Sequence, residues 1–209
     1  MMEEMAASQE NAYRDKRQSF WRDTFVGALP YAEYLATGAE SHRKRWLAMD
    51  RQVQVDAAQQ RRLGQFTRRM NLLCYSGIWC GDCVRQGPIL HHLAAAANAS
   101  TGTEVVDLRF AERVDDSELA DELRILGALR VPVTVCLSED FFEVGRTGDR
   151  MLVTYRRKAQ RELGAACDVG LVPPPEAEVA TEVEQWLDHL ERMQWMLRLA
   201  PMLRTRHGD

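Results

Sequence analysis

Cys80 and Cys83 stand two residues apart in the stretch Trp79-Cys80-Gly81-Asp82-Cys83, the strongest chemical signal in the chain. If a helix starts here, both sulfurs fall on its first turn, close enough to close a small disulfide ring that can open and shut. A cysteine at a helix start sits among unpaired N–H groups at the positive end of the macrodipole, which favours the thiolate, the attacking species. Cys83, one turn further in, should be less exposed and should attack only once Cys80 is bonded to a substrate sulfur. The chemistry expected is thiol-disulfide exchange, with Cys80 as nucleophile and Cys83 as resolving thiol.

That reading requires a strand to deliver the pair and a helix to carry it. Met70 to Tyr75 and Thr103 to Phe110 are short runs of Val, Leu and aromatic residues that read as buried strands, and Cys83 to Ala97 between them reads as a helix. Asp116 to Leu126 predicts a second helix, and Val131 to Leu137 with Phe141 to Arg146 predict a strand pair joined through Ser138-Glu139-Asp140. A helix over Asp149 to Leu163, capped by Asp149, follows. Alternating strands and helices imply parallel pairing, and the closing hairpin implies an antiparallel edge. Pro173-Pro174-Pro175 ends a connector that begins at Gly164. From Glu176 to Leu199, Val179, Val183, Trp186, Leu187, Leu190, Met193 and Leu197 form one apolar helical stripe. Asn11 to Arg69 predicts several short helices, the last capped by Asp56 and running to about Arg69.

Val131-Pro132 adds a second signal, because a proline at the head of a strand-like run has no N–H for a central ladder and belongs at a strand entrance, where a cis peptide fits. With Trp79 to Cys83 and Gly127 to Pro132 together, the chain resembles the thioredoxin superfamily over about Met70 to Leu163. The resemblance implies an α/β thioredoxin-like fold, a mixed central sheet flanked by helices, with extra N- and C-terminal helices. It divides the chain into an N-terminal helical extension (1–69), a thioredoxin-like core (70–166), and a linker and C-terminal helix packing on the core (167–209). It also implies that Pro132 is cis and faces the disulfide, that the backbone of Val131 pairs with extended substrate, and that Gly148 lies at the rim. Trp79, Gly81 and Asp82 join them as expected substrate contacts, and Pro88 resembles the family's kinking proline. The extensions and the Cys-Gly-Asp-Cys site are similar to those of bacterial thioredoxin-family proteins.

Two positions depart from that pattern. Asp82 stands where thioredoxin has proline, and a carboxylate there should make Cys80 less acidic and the couple more reducing. Cys74 stands where the family commonly has a buried carboxylate that assists proton transfer at the second cysteine.

Other readings bear on the same residues. A Cys-x-x-Cys pair is also half of a zinc site, but structural zinc wants four ligands and no second pair exists; His91 and His92 read as helix positions. Cys74, Cys136 and Cys167 read as buried apolar residues. The arginines between Ser41 and Arg69 suit a solvated helix face or an acidic partner. The acids from Asp115 to Glu122 suit a helix N-terminus, and the two clusters could pair with each other.

The 209 residues are 45% hydrophobic and 28% charged, which suits one soluble core with additions. A net charge of -4 offers no field to attract nucleic acid or an anionic membrane, so neither is expected as a partner. The start Met1-Met2-Glu3-Glu4-Met5 lacks the basic and apolar run of a secretory signal, so a cytoplasmic location is expected. The expected partners are a disulfide-containing protein or small molecule and an external electron donor, a reductase or a low-molecular-weight thiol. The chemistry needs no organic cofactor or metal. The alternative is a thioredoxin-like binding or redox-sensing module without efficient turnover.

Overall fold

In the computed structural model, which describes residues 13–161 and 175–208, a five-stranded sheet is ordered β1-β3-β2-β4-β5. Its centre is β2 (Met70–Ser76), parallel to β3 (Val106–Glu112) and antiparallel to β4 (Val133–Ser138), which pairs with β5 (Glu143–Gly148). All seven residues of β2 are buried, as an apolar run covered on both faces requires. The opposite edge is β1 (Leu29–Pro30), where a proline is tolerated because an edge strand has an unpaired side. This strand comes from the segment read as all-helical. Two residues are too few to show a period.

Before and after β1 lie α1 (Gln18–Gly27), α2 (Tyr31–Thr37), α3 (Glu40–Asp50) and α4 (Ala57–Leu63), the several short helices expected. Asp56 caps α4, accepting from the N–H groups of Ala58 and Gln59, while the Gln59 side chain returns to the Asp56 N–H. The helix stops at Leu63, short of Arg69, because Gln194 claims the next backbone groups. Its side chain accepts from Thr67 and Arg68 and donates to the Arg68 carbonyl at 2.6 Å.

The long helix α5 (Gly81–Thr101) carries Cys83 and ends at Gly102, whose φ of 70° permits the left-handed cap. Asn98 then bonds both the N–H and the carbonyl of Val106 at 2.9 Å, so β3 begins there and not at Thr103. The helix expected over Asp116 to Leu126 shrinks to α6 (Glu118–Glu122), capped by Ser117. Ile125 and Ala128 exchange both backbone hydrogen bonds around Leu126 and Gly127, each at positive φ, and that tight turn displaces the last helical turn.

After β5, α7 (Leu152–Arg161) starts beyond Asp149, whose carboxylate bonds Arg130, Arg150 and Tyr155 in place of capping the helix. The Gly164 to Pro174 connector and Cys167 lie outside the described residues. The C-terminal helix α8 (Glu176–Leu199) has the expected bounds and stripe, and the short α9 (Pro201–His207) follows it. No helix among the described residues is long and apolar enough to cross a membrane.

Helices α3, α4 and α8 pack on α5, and α1 and α2 pack on β3. Aromatic contacts hold this N-terminal layer in place. Tyr34 stacks on Phe110 with ring centroids 5.0 Å apart and meets Trp46 edge-on at 5.7 Å, while Tyr31 stacks on His91 at 4.1 Å. Arg62 binds Glu184, Asp188 and Glu191, so the acidic partner of that arginine is the chain's own helix α8. The Asp115–Glu122 acids pair elsewhere, with Arg17, Arg113, Arg124 and Arg146.

Candidate active site

Cys80 is the N-cap of α5, with extended backbone at φ -78° and ψ 131°. Its N–H donates to the Gly77 carbonyl at 2.9 Å, closing a turn, and its own carbonyl accepts from Val84 at 2.9 Å, opening the helix. The residue therefore stands at the positive end of the helix dipole, which favours a thiolate, while its sulfur makes no capping hydrogen bond to the first turn. Three residues on, Cys83 accepts from the Gly77 N–H at 3.3 Å. Both are free thiols, Cys80 4% exposed and Cys83 1%.

Facing them, the Val131–Pro132 peptide is cis, and the Cys80 thiol reaches the Val131 carbonyl at 3.6 Å. Gly148 lies opposite Val133 on the neighbouring strand. A Cβ there would fall 2.9 Å from the Pro132 carbonyl, so only glycine lets the two chains approach this closely. The structure thus brings Cys80, Cys83, Val131, Pro132 and Gly148 to one place. Trp79 is 48% exposed beside them, with the Arg113 guanidinium 5.5 Å from its ring. Arg113 is held charged chiefly by Asp115, and its charge interacts with Cys80.

Asp82 differs from the expectation of a substrate-facing carboxylate. It is 2% exposed and turned inward to Arg150, 2.6 Å away, which also binds Asp149 at 3.0 Å. The guanidinium offsets the charge that was expected to oppose a thiolate at Cys80. Gly81 is likewise buried within the helix start. Behind this pair, Arg85 is buried against Glu182 and Glu178 of α8. Burial pushes Glu182 above the usual carboxylate range, against the opposing pull of Arg85.

Several positioning residues have no signal in the sequence. The Trp46 indole N–H donates to the Ile78 carbonyl at 2.9 Å, and Arg45 donates to the Trp79 carbonyl at 3.2 Å. The Ile78 N–H donates to the Glu112 carboxylate at 3.1 Å, and that carboxylate also accepts from Tyr34 at 2.5 Å. Four successive residues, Gly77 to Cys80, are thereby fixed from α2, α3, β3 and α5.

Cys74 and Cys136 lie fully within the sheet; burial pushes the Cys74 thiol up to about 12 and raises that of Cys136 further. His91 stacks on Tyr31, and His92 lies 3.3 Å from Asp50. Among the described residues, no three His, Cys, Asp or Glu side chains are grouped to hold a metal ion.

A sequence profile of the family described as Thioredoxin matches residues 28–151. The match starts well before Met70 and takes in Tyr34 and Trp46. A solved protein of unknown function from Pseudomonas aeruginosa is 19% identical with a TM-score of 0.56, covering 84% of this chain and 95% of that one. An HIV epitope-scaffold protein is 18% identical with a TM-score of 0.54, covering 86% and 98% respectively. At these identities both likenesses concern the fold. No curated protein matches.

Proposed function

This chain belongs to the thioredoxin family, and we propose that it is a thiol-disulfide oxidoreductase that reduces protein or small-molecule disulfides. The observation that carries this reading is the position of Cys80, at the N-cap of α5 and 3.6 Å from the carbonyl that precedes the cis-proline. A thiolate there attacks one sulfur of the substrate, forming a mixed disulfide and releasing the first thiol. Cys83 then attacks the Cys80 sulfur, forming the internal disulfide and releasing the second thiol. Trp79 and Gly148 supply the exposed rim, while Val131 and Pro132 present the backbone along which an extended substrate lies. An external donor, a reductase or a small thiol, returns the pair to the dithiol. Reduction is the direction suited to a reducing compartment, the cytoplasm.

The test is insulin reduction coupled to dithiothreitol, comparing the wild type with Cys80→Ser. Turnover above background that disappears in the variant supports the reading. Background turnover in the wild type, with a stable partner retained equally by Cys80→Ser, replaces it with a binding module.

A further inference from the structure

Arg130 immediately precedes Val131, the residue whose carbonyl lies 3.6 Å from the Cys80 thiol. Its guanidinium crosses to the facing rim and donates to the Asp149 carboxylate at 2.9 Å, just past Gly148 at the end of β5. That anchor is fixed from several sides. The same carboxylate accepts from Arg150 at 3.0 Å and from Tyr155, and the Asp149 carbonyl accepts from the Gln86 side chain of α5 at 2.7 Å. Arg150 in turn binds Asp82 at 2.6 Å. An unbroken line of ion pairs, Asp82–Arg150–Asp149–Arg130, therefore runs from between the cysteines to the residue before Val131-Pro132.

The line is neutral in sum and unequal in exposure. Both carboxylates are buried, the Arg150 side chain is 11% exposed, and that of Arg130 is 40% exposed. A molecule entering this end of the cleft thus meets the positive end of the line. Among the described residues Arg130 makes no other side-chain hydrogen bond, which leaves Nε and Nη2 to donate to a ligand in the fork geometry that suits a carboxylate. The Trp79 side has no such bias, because Arg113 is matched there by Asp115, the more exposed of the two.

Resting on the oxidoreductase reading above, we propose that Arg130 is a specificity-determining residue that selects disulfides carrying a carboxylate beside the sulfur pair. The guanidinium holds that carboxylate while the Cys80 thiolate bonds to the nearer substrate sulfur and the substrate S–S bond breaks, its other half leaving as a thiolate. Cys83 then bonds to Cys80 and displaces the held half. The dithiol is oxidised to a disulfide and the substrate is reduced to two thiols. One carboxylate is enough for the contact, so a small anionic disulfide and an acidic stretch of protein share the recognising chemistry.

The experiment measures second-order rates of the reduced protein, in a Cys167→Ala background, with dithiodipropionate, hydroxyethyl disulfide and cystamine, which are anionic, neutral and cationic. Ratios of these rates are compared among the wild type, Arg130→Gln and Arg130→Lys, so that the intrinsic reactivity of each disulfide cancels. Arg130→Gln should lower the anionic-to-neutral ratio by about 5-fold and raise the cationic-to-neutral ratio, and Arg130→Lys should restore most of the difference. The wild-type preference should shrink in about 1 M salt, which screens the charge. Two cysteine peptides, offered as mixed disulfides and differing in Glu or Gln next to the cysteine, separate the two sources. A Glu preference at least as large as that among the small disulfides assigns the site to an acidic protein segment, and a preference confined to the small disulfides assigns it to a small molecule. Unchanged ratios in Arg130→Gln, or a fall in rate shared equally by all three disulfides, overturn the selection and leave the exchange chemistry standing. Failure of the wild type to react with any of them overturns the oxidoreductase reading itself.

Discussion

The Trp46 indole N–H donates to the Ile78 carbonyl at 2.9 Å, joining a helix that precedes the sheet to the turn that presents Cys80. The same ring lies on Gly87 of α5, so closely that a Cβ at that glycine would overlap it. One side chain thus sets both the turn and the helix on which the two sulfurs stand.

Trp46→Phe keeps most of the packing but leaves a carbonyl at the active-site turn without its donor. Urea unfolding should show a loss of about 1–3 kcal/mol. Gly87→Ala should lose a similar amount, about 1–3 kcal/mol, through overpacking against the ring. Stability within error of the wild type in both would mean that this contact does not support the turn.

The buried Asp82–Arg150 pair makes two predictions of opposite sign. Arg150→Met removes the guanidinium from a nearly buried carboxylate, which costs about 3–5 kcal/mol of stability. It also leaves negative charge beside Cys80 and raises the pH at which its thiolate forms. Asp82→Asn leaves positive charge in excess and should lower that pH. Thiolate absorbance in the ultraviolet, followed against pH, reads both shifts. Movement in the same direction in the two variants would contradict the electrostatic account.

Much of this site was legible in the sequence, and what was not has a physical reason. Cys80 and Cys83 announce themselves by spacing, and Pro132 by its place at a strand entrance. The C-terminal stripe marks α8 because seven apolar residues repeat at helical intervals. Glu112 and Tyr34 meet across 78 positions of sequence, and no local pattern records such a pairing. Arg150 gives no sign that it neutralises Asp82, so the carboxylate reads from sequence as an uncompensated charge. Leu126-Gly127 reads as the end of a helix because its neighbours are helix formers, while positive φ at both residues makes it a turn.

Cys74 supplies a pH dependence. Burial raises its thiol from an ordinary value of 9.0 to about 12 in the folded chain. The unfolded chain therefore releases this proton first. The stabilisation is complete below pH 9 and is lost progressively as pH rises toward 12. Cys136 is shifted in the same direction, so Cys74→Val should reduce the alkaline loss without abolishing it. Denaturant unfolding at stepped alkaline pH measures the slope. A slope unchanged in Cys74→Val would show that this thiol is not the group responsible.

The central claim is that Cys80 attacks and Cys83 resolves, and peptide mapping of Cys83→Ser after exposure to a disulfide substrate tests it most directly. A single covalent adduct on Cys80, released by dithiothreitol and absent when Cys80 is also replaced by serine, is the predicted result. An adduct that persists without Cys80, or a Cys83→Ser protein that captures nothing while the wild type turns over, would contradict it.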